Sequence, residues 1–233
     1  MSVLPAPTNT RSARTREAMI QAGLRLFAKR PIDAVPIDDI VTAAGVGKGS
    51  FFNHFEDKQK FANVIATDIR GEIEARIARA NRDVCDPLER LTGGMVVAVD
   101  FALARRERAM VMFRGMPWTI TKDHPLNMGL REDIDACIAA GLFNDEARRS
   151  GFLFWLGACQ MFMASVIDLD LSRSEAADRM REIIVMALRG LGVDARRANR
   201  LARNCASRLT VDDAREDLSS FSMLEGGLEG ETA

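Results

Sequence analysis

The chain has 233 residues, of which 47% are apolar, 28% are charged and 6% are aromatic, a composition typical of a soluble globular protein of one large or two small domains. The formal net charge of −1 excludes both a polybasic nucleic-acid wrapper and an acidic disordered protein. The charge is unevenly distributed. Residues 1–60 carry nine Lys or Arg against six Asp or Glu, whereas residues 211–233 carry one against seven.

Signals for metal binding, secretion, membrane insertion and catalysis are missing. The four cysteines and two histidines lack metal-ligand spacing, so we expect no metal site and no cofactor. No apolar signal segment opens the chain, which predicts a cytoplasmic protein. The apolar stretch 151–167 is shorter than the about 20 residues that span a bilayer, and it indicates a buried helix and no membrane partner. The two histidines lie far apart and no nucleophile motif occurs, so we expect no enzyme.

Apolar residues recur at helical spacing along almost the whole chain, which predicts an all-α fold. Asp57, Asp86 and Asp194 are predicted N-caps, and Ser172 with Glu175 forms a predicted capping box. The predicted helices span residues 12–29, 36–43, 47–54, 58–81, 87–105, 106–116, 126–140, 145–167, 174–190 and 195–208.

The two short helices 36–43 and 47–54 flank Gly45 and are predicted to form a helix-turn-helix. Gly45 suits the left-handed backbone of such a turn. The apolar underside comes from Ile40, Val46, Phe51 and Phe55. The outward residues are small or polar and allow close approach to base edges and phosphates, so the motif predicts binding in the DNA major groove.

Residues 14–60 resemble the DNA-binding domain of the TetR family of bacterial transcriptional regulators. The matching string is Asp39-Ile40, then Ala44-Gly45-Val46-Gly47-Lys48-Gly49-Ser50-Phe51-Phe52-Asn53-His54-Phe55, then Lys58. The resemblance implies an N-terminal three-helix helix-turn-helix DNA-binding domain followed by a C-terminal helical domain for ligand binding and dimerisation.

The resemblance also implies which residues touch DNA. The first residues of the recognition helix would contact the bases and the DNA backbone, and the residues after its first turn would lie along a phosphate strand. The predicted DNA-binding residues are Lys48, Gly49, Ser50, Phe52, Asn53, His54 and Lys58. Three arginines, Arg11, Arg14 and Arg16, form a candidate arm that reaches the minor groove or phosphates, although a solvated basic end explains them equally well.

Four residues of the motif depart from the family pattern, and one of them is Val41, which stands where alanine is usual. Phe52 stands where tyrosine is usual and lacks the hydroxyl that would meet a phosphate. Pro36 stands where threonine often caps the helix, and Asp38 stands where a neutral or basic residue is frequent. These departures keep an alternative open, in which a helical protein binds small molecules or docks a protein partner and has weakened DNA recognition.

The C-terminal part contains more bulky, adaptable side chains than helix packing needs. Met-rich and aromatic linings suit pockets for apolar molecules, although core packing uses the same residue types. The candidate pocket residues are Phe101, Met112, Phe113, Met116, Trp118, Met128, Phe152, Trp155, Cys159 and Phe162.

These observations together predict a transcriptional repressor that binds a near-palindromic operator as a homodimer, because one short recognition helix makes too few base contacts for useful specificity. Helices 145–167 and 174–190 are the expected dimer surface. The expected partners are double-stranded operator DNA, a second copy of the chain and an unidentified small-molecule effector. The effector would move the helix 58–81 and so release the DNA.

The predicted regions follow from these assignments. They are a flexible arm at 1–11, a helix-turn-helix DNA-binding domain at 12–60 with its motif at 36–55, a helical ligand-binding and dimerisation domain at 61–210, and an acidic, disordered tail at 211–233.

Overall fold

The computed structural model describes residues 10–115 and 124–225. These residues are mainly helical and contain no strand, which confirms the all-α prediction. Short 3₁₀ turns at Ile32–Ala34 and Pro125–Asn127 precede the second and the seventh helix. The helices are α1 Thr10–Lys29, α2 Ile37–Ala44, α3 Lys48–His54, α4 Lys58–Ala80, α5 Pro87–Ala104, α6 Arg106–Gly115, α7 Met128–Ala139, α8 Ala147–Asp168, α9 Arg173–Gly190 and α10 Ala195–Glu225.

Local sequence signals set the starts of several helices. The side chains of Asp57, Asp86 and Asp194 each accept a hydrogen bond from a backbone amide of the first turn, over 2.7, 2.9 and 3.0 Å. Ser172 accepts from the amide of Glu175, and the Glu175 carboxylate accepts from the amide of Ser172 in return. The predicted N-caps and the predicted capping box are therefore confirmed.

The chain divides into two compact units. Within the described residues, the N-terminal unit consists of 10–72 and 105–115, and the C-terminal unit consists of 73–104 and 124–225. The helix α6 therefore lies in the same unit as α1, α2 and α3, although the sequence analysis placed it in the C-terminal domain. The helix α4 contributes its residues up to Glu72 to the N-terminal unit.

Four phenylalanines hold the N-terminal unit together. The ring centroid of Phe61 on α4 lies 5.8 Å from that of Phe27 on α1, 5.3 Å from that of Phe51 on α3 and 4.6 Å from that of Phe55. A Cβ atom at Gly23 would lie 2.5 Å from the Phe61 ring, so this ring packs directly against the backbone of α1. This cluster fixes α3 against α1 and α4.

The helix α6 packs on α4 within the same unit. A Cβ atom at Gly115 would lie 2.8 Å from the backbone oxygen of Ala62, so the end of α6 touches the backbone of α4 directly. Near the other end, Arg108 forms an ion pair with Glu72 over 2.8 Å. These contacts join residues far apart in sequence, which explains why helical periodicity alone assigned α6 to the wrong unit.

The C-terminal unit is a bundle of α5, α7, α8, α9 and α10. Ion pairs join its helices at 2.6 Å, between Arg90 of α5 and Asp133 of α7, and between Arg173 of α9 and Asp100 of α5. The large buried side chains of this unit include Leu88, Met95, Phe101, Phe152, Trp155, Phe162, Met180, Ile184, Leu188, Leu201 and Leu209.

The helix α8 is long and apolar enough to cross a membrane by length and composition, and no other helix of the described residues is. One such helix is weak evidence, because a core helix of a globular protein passes the same test. Phe152, Trp155 and Phe162 of α8 are buried. These side chains make α8 a core helix of the C-terminal unit.

The last helix is longer than the sequence predicted. It was expected to end near residue 208 and to be followed by a disordered tail at 211–233, but α10 continues to Glu225. Val211, Ala214, Leu218 and Phe221 recur at helical spacing, a signal that the acidic composition of this segment masked. Residues 226–233 lie outside the described part of the chain.

Candidate nucleic-acid interface and effector region

The turn between α2 and α3 is built on one glycine. Gly45 has φ 67°, the left-handed conformation that strains residues with a Cβ atom, as its place in the motif predicted. The amide of Val46 then donates to the carbonyl of Val41 over 2.9 Å. The backbone of Gly47 is extended, and α3 starts at the next residue. The chain thus forms a helix-turn-helix at the predicted position.

The helix α3 has an anchored inner side and an open outer side. On the inner side, Phe51 is fully buried, and its ring lies 5.5 Å from that of Phe55. On the outer side, a Cβ atom at Gly47 or at Gly49 would meet no atom within 4 Å. Of the residues predicted to touch DNA, the exposed ones are Lys48, Gly49, Phe52 and Asn53, and the half-buried ones are Ser50, His54 and Lys58.

Two predicted DNA contacts have partners within the protein. The Nζ atom of Lys48 lies 2.8 Å from Oδ1 of Asp38, at the start of α2. The Nζ atom of Lys58 donates to the backbone carbonyls of Asp33 and Val35 over 2.9 and 3.0 Å. Lys58 therefore braces the loop that precedes α2. Sequence spacing carried no signal for either contact, because both join different secondary-structure elements.

The candidate basic arm is partly helical. The helix α1 begins at Thr10, so Arg11 and Arg14 lie in its first turns, and both are exposed. The guanidinium carbon of Arg16 lies 5.6 Å from the ring centroid of Phe55. The remainder of the predicted flexible arm, residues 1–9, lies outside the described part of the chain. The DNA contacts assigned to these arginines remain predictions.

The candidate pocket residues are divided between the two units. Met112 and Phe113 lie on α6 of the N-terminal unit, and Met112 is buried. Met116 and Trp118 lie outside the described residues. The remaining candidates belong to the C-terminal unit, where Phe101, Phe152, Trp155 and Phe162 are buried, Cys159 is half-buried and Met128 is exposed.

A glutamine that the sequence did not single out lies on α8. Gln160 is 8% exposed. Helical spacing places it on the same side of α8 as Leu156 and Met163, both of which are buried. An amide at this position places a donor and an acceptor next to apolar side chains.

The buried thiols of the C-terminal unit are unreactive. Burial, helped by the negative charge of Asp133, raises the pKa of the Cys137 thiol to about 12, and burial also raises the pKa of Cys205. Because the thiolate is the nucleophile and the metal ligand, both side chains are inert at neutral pH. Within the described residues, no group of three His, Cys, Asp or Glu side chains could hold a metal ion.

A helix can enter the major groove if its inner side is anchored in the protein and its outer side is free of protein atoms. The buried phenylalanines satisfy the first condition for α3, and the bare outer surface around Gly47 and Gly49 satisfies the second. The helices α2 and α3 of the N-terminal unit accordingly form a helix-turn-helix whose second helix meets both conditions.

Comparison with known proteins matches the N-terminal segment to a family of regulators. Residues 19–65 match the family described as "Bacterial regulatory proteins, tetR family". This segment therefore resembles the N-terminal DNA-binding part of that family, as the motif led us to expect.

Two curated relatives are transcriptional repressors with a helix-turn-helix. KstR2 of Mycolicibacterium smegmatis is 26% identical over 107 residues, which cover 46% of this chain and 52% of KstR2. BepR of Brucella suis biovar 1 is 32% identical over 107 residues, which cover 46% of this chain and 51% of BepR. The chain thus spans about half the length of these curated relatives.

A solved structure extends the similarity to most of the fold. The crystal structure of RolR in complex with the ligand resorcinol matches with a TM-score of 0.57 and 21% sequence identity, over 84% of this chain and 96% of RolR. At this level of identity the match establishes a shared fold.

Proposed function

We propose that this regulator is a repressor that binds a near-palindromic operator as a homodimer and is released by a small, mainly apolar molecule. The observation that carries the proposal is the open outer surface of α3. There Lys48 and Asn53 are exposed beside two glycines whose positions leave room for a base edge or a phosphate.

The outer residues of α3 supply chemistry suited to the major groove. Lysine donates to the acceptors of guanine or to phosphates, and asparagine pairs with adenine through two hydrogen bonds. Lys48, Gly49, Ser50 and Asn53 would face the bases and backbone, with Phe52 and His54 along the phosphates. This assignment follows the residues of the motif one by one and is supported by the exposure of α3.

An exposed apolar surface on α8 and α9 supports the homodimer. Leu153, Phe154 and Met161 on α8 and Met186 on α9 are each between 47% and 66% exposed. Apolar patches of this kind on a water-soluble protein mark an interface. We assign this surface to a second copy, so that α8 and α9 of each subunit form a four-helix bundle about a twofold axis.

The effector region is assigned to the C-terminal unit. Its buried aromatic side chains suit an apolar molecule, and the amide of Gln160, a residue that is 8% exposed on α8, would orient one polar group of that molecule. RolR, which shares the fold, has been solved with resorcinol, a small aromatic molecule with hydroxyl groups. Resorcinol is therefore the first probe for this chain.

The helix α4 provides a route from effector to DNA. It starts at Lys58 beside the helix-turn-helix and continues past Glu72 into the C-terminal unit. An effector that shifts α4 would change the separation of the two recognition helices in the dimer and lower operator affinity. Because the target is DNA, we place the protein in the cytoplasm.

The test is selection of bound fragments from the source genome by the purified chain. We expect enrichment of a palindromic site that Lys48→Ala and His54→Ala bind less tightly, whereas Lys29→Ala, which removes an exposed lysine at the end of α1, retains its affinity. The affinity should fall steeply with salt, because phosphate contacts release counterions. A chain that selects no site at low salt would refute DNA binding.

A further inference from the structure

The first residue of the recognition helix is already neutralised in the free protein. Lys48 Nζ lies 2.8 Å from Asp38 Oδ1, and the two side chains are 57% and 66% exposed. The pair bridges the first turn of α2 and the first turn of α3. It therefore stands at the surface where DNA would arrive.

Other cationic side chains of the N-terminal unit also contact groups within the protein. Asp39, the next residue of α2, pairs with Arg30 over 2.8 Å. The ammonium group of Lys58 donates to two backbone carbonyls, and the guanidinium group of Arg16 lies against the ring of Phe55. DNA must therefore compete with protein partners for several of the charges that could bind it.

Helix stability alone does not account for Asp38. An acidic side chain in the first turn favours the helix dipole, but Asp39 already provides one in the same turn of α2. An exposed ion pair contributes little to stability. Its effect on DNA binding differs, because a phosphate that approaches Lys48 meets the carboxylate of Asp38 as well.

We propose that Asp38 sets the affinity of this regulator for DNA, by neutralising Lys48 in the free protein and by remaining beside the phosphates in the complex. The inference rests on the proposed function, since it assumes that α3 binds DNA. A carboxylate held against Lys48 offsets one cation at the interface, so fewer counterions are released. Asp38 would lower affinity for operator and non-operator DNA alike and keep the operator complex readily dissociable.

The test compares wild type with Asp38→Asn on the selected operator and on a random duplex of equal length, over a range of salt concentrations. We expect Asp38→Asn to bind both duplexes about two- to fivefold more tightly per subunit, the range that an exposed ion pair permits. The plot of log affinity against log salt should become steeper by about 0.9 per subunit.

Two controls isolate the pair. Asp68→Asn makes the same change of charge at an exposed position on α4 and should leave both affinities near those of wild type. In a Lys48→Ala background, Asp38→Asn should gain markedly less than it gains in wild type. Thermal unfolding of each variant confirms that it is folded.

The outcomes separate this inference from the proposed function. If wild type binds DNA but Asp38→Asn leaves the affinities and the salt dependence unchanged, Asp38 does not set affinity. If Asp38→Asn weakens operator binding, the carboxylate contacts a base directly and the inference is wrong. If no variant binds DNA at low salt, the proposed function fails and the inference fails with it.

Discussion

Arg114 on α6 donates from Nη1 to the backbone carbonyl of Phe27 over 2.6 Å and to that of Ala28 over 3.1 Å, at the end of α1. The last carbonyls of a helix lack partners within it, and a cation there also favours the helix dipole. Arg114 therefore caps α1, although it follows Phe27 by 87 residues in the sequence.

We expect Arg114→Ala to lower the free energy of unfolding by about 1.5–3 kcal/mol, because hydrogen bonds from a charged donor are lost. Urea denaturation measures this loss. Arg105→Ala, which removes an exposed arginine just before α6, serves as the control and should change little. Equal stability of the two variants would show that Arg114 does not hold α1.

The helix caps show which contacts the sequence can predict and which it cannot. Asp57 and the pair Ser172 and Glu175 act within one helical turn, so residue type and spacing predicted them correctly. Gly45 was predictable for the same reason. The cap that Arg114 places on α1 depends on how α6 folds back, and no local pattern encodes that.

The same distinction between local contacts and contacts between distant elements applies to the candidate site. The motif placed Phe51 on the buried side of α3 and Lys48 on the exposed side correctly, because a two-turn helix fixes which residues share a face. The partner of Lys48 lies on another helix, so this ion pair required the structure.

Lys58 is expected to act on stability. Because its ammonium group holds the carbonyls of Asp33 and Val35, Lys58→Ala should lower the free energy of unfolding by about 1.5–3 kcal/mol. Lys60→Ala, an exposed neighbour on the same helix, is the matched control. Thermal unfolding of both variants measures whether only Lys58→Ala loses stability. Unchanged stability with a shallower salt dependence of DNA binding would assign Lys58 to a phosphate instead.

The buried thiol of Cys137 should make stability depend on alkaline pH. Burial raises its pKa to about 12 in the folded chain, whereas an unfolded thiol ionises near pH 9. Its stabilising contribution is complete below pH 9 and is lost as the pH rises towards 12, by about 1.4 kcal/mol per pH unit.

The measurement is the free energy of unfolding of wild type and Cys137→Ala between pH 8 and pH 10.5. The chain has no tyrosine, which removes one group that would titrate in this range. The variant should be less sensitive to pH than wild type. Identical pH profiles would mean that Cys137 ionises as readily in the folded chain as in the unfolded one.

The apolar surface of α8 and α9 should determine the oligomeric state. Met161 and Met186 are 58% and 66% exposed, and a glutamate at either position would place a charge in the proposed interface. We expect the Met161→Glu, Met186→Glu double variant to sediment as a 25.7 kDa monomer and wild type as a dimer. The monomer should lose most of its operator affinity, because each subunit then binds one half-site alone.

The control variant Met128→Glu alters a methionine on α7 that is 45% exposed, and this variant should remain dimeric. A monomeric wild type, or a double variant that stays dimeric, would contradict the assignment of this surface.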